Sequence, residues 1–176
     1  MKKIKTELEG VYIIEPSIFG DNRGWFYESY NKEAFEKIGI DACFVQDNRS
    51  FSEKKGTIRG LHRQKAEHSQ AKLVSCQRGE IYDIVVDARK NSPTYLKHIK
   101  VKLSGENKKM LFIPKGCLHG FVTLTDNVEL FYKCDELYCK DSEETVRFDS
   151  PAFNIDWEVE NPILSQKDLQ APYFTA

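Results

Sequence analysis

The chain of 176 residues lacks a long apolar run and a net charge of either sign. Its apolar stretches are interrupted within about six residues, far short of the roughly 20 that cross a bilayer. Residues 1–5 also lack the apolar core of a signal peptide. The 26 Lys and Arg residues balance 27 Asp and Glu residues, so no basic field attracts nucleic acid or an anionic membrane. We therefore expect a cytoplasmic protein with neither of those partners.

The sequence also lacks paired cysteine motifs and glycine-rich phosphate loops. Its five cysteines, at positions 43, 76, 117, 134 and 139, are odd in number and include no Cys-x-x-Cys. They predict reduced thiols rather than a disulfide framework or a cysteine-only zinc site. Neither G-x-x-x-x-G-K-[ST] nor G-x-G-x-x-G occurs. A phosphate group would therefore be bound by side chains.

Short strand-like segments account for most of the chain. They lie at residues 11–14, 25–30, 43–46, 71–77, 81–87, 98–103, 110–113, 120–124 and 128–133, at the close spacing of a sandwich or barrel. In residues 98–103, Ile99, Val101 and Leu103 share one face of the predicted strand. Gly79, between two such segments, predicts a tight hairpin at residues 77–80.

Helical pattern is scarce. It covers residues 32–38, after a possible cap at Asn31, and one turn at residues 165–170. Gly and Pro occur as isolated residues rather than as a linker, which favours a single domain over residues 1–176. The sequence therefore predicts an all-β fold, an antiparallel jelly roll with a few short helices.

Jelly rolls of the cupin type often hold a metal on two short motifs, and only one is intact here. Pro114, Gly116 and His119 match Pro-x-Gly-x-x-His. The other motif, His-x-His followed by Glu, reads His62-Arg63-Gln64 with Glu67 beyond it. Because an amide is a much poorer ligand for a transition metal than an imidazole, we expect no metal. A structural role near the barrel wall is the alternative for His119.

Other residues suit binding or proton transfer. Arg59, His62 and Lys72 would line one cavity if their strands are neighbours, although each is also typical of an exposed strand position. Tyr132 shares a face with two apolar residues of its segment, so its hydroxyl is either the polar tip in a cavity or a group bonded to backbone.

Residues 19–28 join an Asp-Asn-x-Gly turn to an aromatic segment that contains Arg23 and Glu28. A guanidinium pairs with phosphate oxygens, aromatic rings stack on a base and a carboxylate accepts from a base N–H. This combination suits a nucleotide. An ordinary turn followed by an edge strand is the alternative.

Taken together, these segments resemble the dTDP-4-dehydrorhamnose 3,5-epimerase family, a cupin-fold group of dTDP-L-rhamnose biosynthesis. The similarity covers almost the whole chain. It follows, in order, FGDNRGWFYES, FVQDNRS, GTIRGLH, QAKLVSCQRGEIYDIVVDARKNSPTY, FIPKGCLHGF, ELFYKC, IDW and LSQKDLQAP. The resemblance implies a cupin-type jelly roll that acts on a dTDP-4-keto-6-deoxy sugar without metal or cofactor, usually as a homodimer.

The resemblance also implies roles for individual residues. The general base falls on His62, its dyad partner on Asp168, the general acid on Tyr132 and the enolate-stabilising cation on Lys72. The nucleotide and pyrophosphate contacts fall on Arg23, Glu28, Gln46, Asn48, Arg59, His119, Glu143 and Lys167, with Tyr138 and Phe26 stacking on the thymine. This chain departs from the family's common residues at Arg63, Leu118 and Cys139-Lys140, which bears on the sugar and nucleotide accepted and on whether one carbon or two is inverted.

These residue types suit epimerisation beside a ketone. In a 4-keto sugar the hydrogens on C3 and C5 are acidic, because the resulting anion delocalises onto the C4 oxygen. One base and one acid on opposite faces of the sugar can therefore invert either carbon. Histidine, with a reference pKa of about 6.5, is largely neutral at neutral pH, and tyrosine, with about 10, is protonated. We expect inversion at C3 and C5.

Three alternatives remain open. The first is an epimerase that inverts only C3 or only C5 of a related sugar. The second is a metal-dependent cupin, an oxygenase or a phospho-sugar isomerase, with His62, Gln64 and His119 as ligands. The third is a sugar-nucleotide binding module without catalysis, which the presence of all four catalytic residue types disfavours.

Overall fold

Two antiparallel sheets form most of the computed structural model, which describes residues 1–175. The six-stranded sheet has the order β1 (Lys2–Lys5), β2 (Tyr12–Glu15), β10 (Met110–Ile113), β7 (Lys72–Arg78), β12 (Val128–Cys134) and β5 (Gln46–Ser52). The five-stranded sheet has the order β13 (Glu143–Thr145), β6 (Ile58–Gln64), β11 (Leu118–Thr123), β8 (Glu80–Val86) and β9 (His98–Ser104). The predicted all-β jelly roll is confirmed.

The remaining elements are short. β3 (Phe19–Asp21) and β4 (Gly24–Phe26) pair only with each other and form an exposed arm. The helices are α1 (Lys32–Lys37) and α2 (Gln166–Leu169), with 3₁₀ turns at Ala66–His68 and Lys140–Ser142. Within the described residues, no helix has the length and apolar character needed to cross a membrane.

The main hydrophobic core lies between the two sheets. In β9, Ile99 and Leu103 are buried in this core, whereas Lys102 is exposed, so the predicted alternation is confirmed. The other face of the five-stranded sheet packs against the C-terminal segment. Ile84 of the sheet and Phe153 and Trp157 of that segment belong to a second hydrophobic cluster, which we call the outer core. Because successive side chains of a strand alternate between faces, each strand of this sheet contributes both to the space between the sheets and to the outer core.

Both predicted helices are confirmed, and each begins at a side-chain cap. The Asn31 Oδ1 atom accepts a hydrogen bond from the backbone N–H of Ala34 at 3.1 Å. Ser165 Oγ accepts from the backbone N–H of Asp168 at 3.1 Å. The second cap fixes the backbone of Asp168 beside the space between the sheets.

The strand prediction was wrong in two segments and missed β1, β3, β6 and β13. Residues 43–45 are not a strand, since β5 begins at Gln46 and continues to Ser52. The strand predicted over residues 25–30 ends at Phe26, and β6 was not predicted at all. β5 and β6 consist largely of polar residues, and such residues give little local indication of a strand. Their pairing with apolar neighbouring strands overrides that local preference.

The predicted hairpin at residues 77–80 was also wrong. Gly79 does adopt a positive φ of 77°, as the prediction required. However, β7 belongs to the six-stranded sheet and β8 to the five-stranded sheet, so the chain crosses between sheets at this glycine. A Cβ at position 79 would lie 2.6 Å from Thr125 Oγ1. The glycine therefore marks a corner of the jelly roll, for which the same backbone freedom is needed.

All five cysteines are free. Cys43 is exposed and Cys139 is partly buried, whereas Cys76, Cys117 and Cys134 are buried. Burial raises the pKa of the Cys76 thiol to about 11 and that of the Cys117 thiol to about 12. These two thiols are therefore protonated at neutral pH and behave as small apolar side chains.

Candidate active site

Two adjoining cavities lie between the sheets. The first has a volume of about 490 Å³ and is lined by residues of both sheets and of α2. The second, of about 300 Å³, shares His62, Lys72 and Tyr132 with the first. Among the predicted site residues, the first cavity also contains Arg59, His119, Lys167 and Asp168, and the second contains Gln46, Asn48, Tyr138 and Glu143.

His62 and Asp168 form a hydrogen-bonded pair at the wall of the first cavity. The His62 Nε2 atom lies 2.6 Å from Asp168 Oδ1, and Asp168 is buried. Burial alone would raise the pKa of Asp168, but the interaction with His62, the backbone N–H of Gly60 and the side chain of Ser165 outweigh it and lower that pKa. The carboxylate therefore stays charged and holds the imidazole, leaving Nδ1 as the nitrogen free for a ligand.

A close approach of β6 and β11 brings a second histidine next to this pair. His62 and His119 are cross-strand partners. A Cβ at Gly60 would lie 2.6 Å from Gly120 Cα and 2.8 Å from His119 O, and Gly60 has a φ of 124°. Only glycine tolerates both conditions, so Gly60 allows the two histidines to line one cavity.

Asp83 is a site residue that the sequence analysis missed. Its Oδ1 atom lies 2.7 Å from His119 Nε2, and its side chain is fully buried. The other oxygen, Oδ2, has no hydrogen-bond partner within residues 1–175. Asp83 lies on the same inward face as Ile81 and Val85 and interrupts the apolar alternation of β8. This interruption is the sequence feature that could have identified Asp83 as a site residue.

The donors of the metal-dependent alternative are engaged elsewhere. The Nε2 atoms of both histidines contact carboxylates, and Gln64 Oε1 accepts from the backbone N–H of Cys139 at 3.0 Å. The part of the chain that the structure describes contains no group of three or more His, Cys, Asp or Glu residues placed to hold a metal ion. Because the Gln64 oxygen is turned to the backbone and an amide is a poor ligand for a transition metal, His62, Gln64 and His119 do not form a fitting set of metal ligands.

Lys72 and Tyr132 face His62 from the opposite sheet. They lie on the neighbouring strands β7 and β12, and Lys72 Nζ is 5.9 Å from the centre of the Tyr132 ring. Burial lowers the pKa of Lys72, although Cys134, Asp83 and Glu143 oppose this effect. Burial also raises the pKa of Tyr132. At neutral pH the site therefore presents a protonated phenol opposite an imidazole.

The predicted nucleotide contacts fall into two groups. One group surrounds Glu143, whose carboxylate lies 2.7 Å from Lys167 Nζ and accepts from the Tyr138 hydroxyl at 3.2 Å. Burial alone would raise the pKa of Glu143, but Lys167 and Tyr138 outweigh it and lower that pKa. Gln46 Nε2 donates to Asn48 Oδ1 at 3.0 Å in the same cavity. These contacts leave polar atoms and the half-exposed ring of Tyr138 available to a nucleoside.

The second group lies outside both cavities. The Arg23 side chain is 86% exposed and pairs with Asp21 of the same arm. Phe26 is 69% exposed, and Glu28 accepts from Asn31 Nδ2 at 3.2 Å. Within one chain, the structure therefore does not bring Arg23, Phe26 and Glu28 to His62.

Of the three departures from the family pattern, Arg63 lines the second cavity, whereas Leu118 and the Cys139-Lys140 pair line neither cavity. The Arg63 guanidinium pairs with Glu144 and donates to the backbone oxygens of Ala88 and Gly116 at 3.2 and 2.9 Å. Its charge, expected beside the base, is thus neutralised by these partners. Leu118 is fully buried in the outer core, and the Cys139-Lys140 pair leads into a 3₁₀ turn.

Comparisons with known proteins consistently find sugar epimerases. The family model described as dTDP-4-dehydrorhamnose 3,5-epimerase matches residues 5–176. The dTDP-4-dehydrorhamnose 3,5-epimerase of Shigella flexneri is 47% identical over 99% of this chain and 96% of its own length. A crystal structure of the Bacillus anthracis enzyme with TDP and PPi bound has a TM-score of 0.96 and 44% identity, and covers 98% of this chain and 99% of that one.

A third relative carries a sugar nucleotide. The crystal structure of the dTDP-6-deoxy-D-glucose-3,5-epimerase of Legionella pneumophila, in complex with dTDP-4-keto-L-rhamnose, has a TM-score of 0.91 and 41% identity. It covers 99% of each chain. The likeness therefore extends over the whole fold.

Proposed function

This chain belongs to the dTDP-4-dehydrorhamnose 3,5-epimerase family, and on that basis we propose how its residues invert C3 and C5 of dTDP-4-dehydro-6-deoxy-D-glucose. The product of this isomerase reaction is dTDP-4-dehydro-L-rhamnose. The observation that carries the proposal is the position of His62 and Tyr132 on opposite sheets, with one cavity between them. A base and an acid on opposite sides of one sugar are what inversion at a carbon requires.

Proton removal is the first step. The free Nδ1 of His62 takes the proton from C3 or C5, and the electron pair of the broken C–H bond moves toward the C4 carbonyl, whose oxygen becomes an enolate oxygen. Asp168, 2.6 Å from the other ring nitrogen, stabilises the imidazolium that forms. The Lys72 ammonium stabilises the negative charge on the C4 oxygen.

Proton return completes the inversion. The Tyr132 hydroxyl donates its proton to the same carbon from the opposite face, and the carbonyl re-forms at C4. Solvent then reprotonates the tyrosinate, and the imidazolium releases its proton to solvent. Since C3 and C5 both flank C4, rotation or sliding of the ring lets the same pair of residues act at each carbon.

The rest of the substrate is held by the remaining side chains of the cavities. Arg59, His119 and Lys167 are suited to the pyrophosphate, since guanidinium, imidazole and ammonium groups all donate to phosphate oxygens. Gln46, Asn48 and Glu143 are suited to the polar edges of thymidine, and Tyr138 to its base. Two cavities that share His62, Lys72 and Tyr132 accommodate a sugar and a nucleotide side by side.

We further propose that the enzyme is a homodimer. The arm exposes Phe19, Trp25 and Phe26 at 67, 59 and 69%, an apolar surface typical of an interface. A second copy would cover it and would offer Arg23, Phe26 and Glu28 a route to a cavity that they do not reach in their own chain. Light scattering should report twice the mass of one chain. A monomer at the concentrations where the enzyme is active would contradict this proposal.

The Tyr132→Phe variant separates proton removal from proton return. Because the base is intact, we expect both substrate protons to exchange with solvent, while formation of the inverted product falls about 10²-fold. Proton NMR in D₂O, with a coupled reductase that consumes the epimerised product, measures both quantities.

Tyr82→Phe is the matched control, since Tyr82 lies in the outer core rather than in either cavity. We expect wild-type exchange and inversion in that variant. Normal inversion by Tyr132→Phe would remove the tyrosine from the mechanism.

A further inference from the structure

The segment that carries Tyr138 is held by side chains instead of by a strand. Residues 135–139 follow β12 and have no regular structure. The carbonyl of Glu136 accepts from Gln70 Nε2 at 2.8 Å. The N–H of Tyr138 donates to Gln46 Oε1 at 2.9 Å, and the N–H of Cys139 donates to Gln64 Oε1 at 3.0 Å. Three glutamines therefore bond three backbone groups within four residues.

These glutamines tie the segment to both sheets. Gln46 begins β5 of the six-stranded sheet, Gln64 ends β6 of the five-stranded sheet, and Gln70 lies in the connection that leads to β7. Gln64 and Gln70 are only 4 and 9% exposed. Buried amides need partners, and here both use the segment. Glutamine serves this purpose because one neutral side chain offers a donor and an acceptor.

The ring of Tyr138 is anchored at its other end as well. Its hydroxyl donates to Glu143 at 3.2 Å, and the ring remains 52% exposed at the wall of the second cavity. One end of the residue is thus fixed by the glutamines and the other by Glu143, while the ring itself stays open to a ligand.

We propose that Gln64 and Gln70 are positioning residues that fix the Tyr138 ring for stacking on the nucleobase. This inference rests on the proposed function, in which Tyr138 contacts the base. An irregular segment without such bonds would sample many conformations, and ordering it would reduce the free energy of binding. The glutamines order the segment before the nucleotide arrives. Since neither amide contacts the reacting carbons in this scheme, their effect falls on nucleotide binding and not on proton transfer.

The test uses Gln64→Met and Gln70→Met, which keep the length of the side chain and remove its hydrogen bond. Titration calorimetry with dTDP measures the Kd, and NMR exchange at saturating substrate measures the chemical step. We expect the Kd for dTDP, and the KM, to rise about tenfold in each variant, the effect of leaving one buried polar group unpaired. We expect kcat to stay within about twofold of wild type.

Ile99→Val controls for general loss of stability, because Ile99 is a core residue of β9 outside both cavities. It should keep the wild-type Kd for dTDP. A second control adds Gln64→Met to Tyr138→Ala. If Gln64 acts through the ring, the double variant should bind dTDP no more weakly than Tyr138→Ala alone.

Two results would overturn the inference. One is a wild-type Kd for dTDP in both glutamine variants. The other is a loss of dTDP affinity on Gln64→Met that is as large in the Tyr138→Ala background as in the wild type. The proposed function fails in a different way, since a wild-type protein that binds dTDP but exchanges no substrate proton would refute the reaction and leave the binding comparison intact.

Discussion

Replacing His62 with Asn is expected to stop the exchange of the C3 and C5 protons with solvent together. The imidazole is the only base that the mechanism assigns to either carbon, and an amide cannot accept the proton. We expect the exchange rate at both positions to fall about 10²- to 10⁴-fold, the typical contribution of a positioned general base. The α2 segment should keep its place, because its cap, the bond from the Asp168 N–H to Ser165 Oγ, does not involve His62. Proton NMR in D₂O at saturating substrate measures both rates in one experiment.

His98→Asn is the matched control for this experiment. His98 lies at the start of β9 and lines neither of the two cavities, so both exchange rates should remain those of the wild type. Near wild-type exchange at either carbon in His62→Asn would refute the assignment of a single base. Loss at only one carbon would mean that a second group serves the other.

Replacing Lys72 with Met is expected to lower kcat about 10²- to 10³-fold, the usual effect of removing a preorganised donor from a developing oxyanion. Methionine fills a similar volume without the charge. Lys72 lines both cavities, with its Nζ 5.9 Å from the centre of the Tyr132 ring, so its ammonium is available to the C4 oxygen. Because that interaction strengthens only as the enolate forms, KM should change little.

The pH profile gives an independent check on Lys72. The charged form of Lys72 is the active one, and burial lowers the pKa of this side chain. The fall in kcat at alkaline pH should therefore occur below the ordinary lysine pKa of about 10.4. Lys102→Met is the control, since Lys102 pairs with Glu80 on the surface of β9. A Lys72→Met enzyme with near wild-type kcat would show that another group stabilises the enolate.

Local sequence patterns predicted a strand whose apolar and polar side chains alternate, and helices that begin at a capping side chain. The alternation of β9 and the caps at Asn31 and Ser165 are of this kind, because each depends on neighbours within a few residues. β5 and β6 were not predictable in this way. Their polar sequences become strands only because apolar strands lie beside them, and Gly79 shows the same limit, since one positive φ serves a hairpin and a corner equally.

The candidate site was predicted mainly by the resemblance rather than by residue types. Taken alone, Arg59 and Lys72 are ordinary strand residues, and only the pairing of strands places them with His62. The resemblance did not predict the contact of Asp83 with His119 or the three glutamines that hold the segment of Tyr138. Those contacts join residues far apart in the sequence, so no local sequence pattern predicts them.

The most direct test of the whole account is proton NMR of dTDP-4-keto-6-deoxyglucose in D₂O with the chelator-treated wild-type enzyme. Signals at C3 and C5 are followed while a coupled reductase consumes the epimerised product. The account predicts loss of both signals and formation of product without added metal. Loss of the C3 signal alone would show that the enzyme inverts one carbon and not two. No exchange at either carbon, or exchange only after metal is added, would contradict the mechanism.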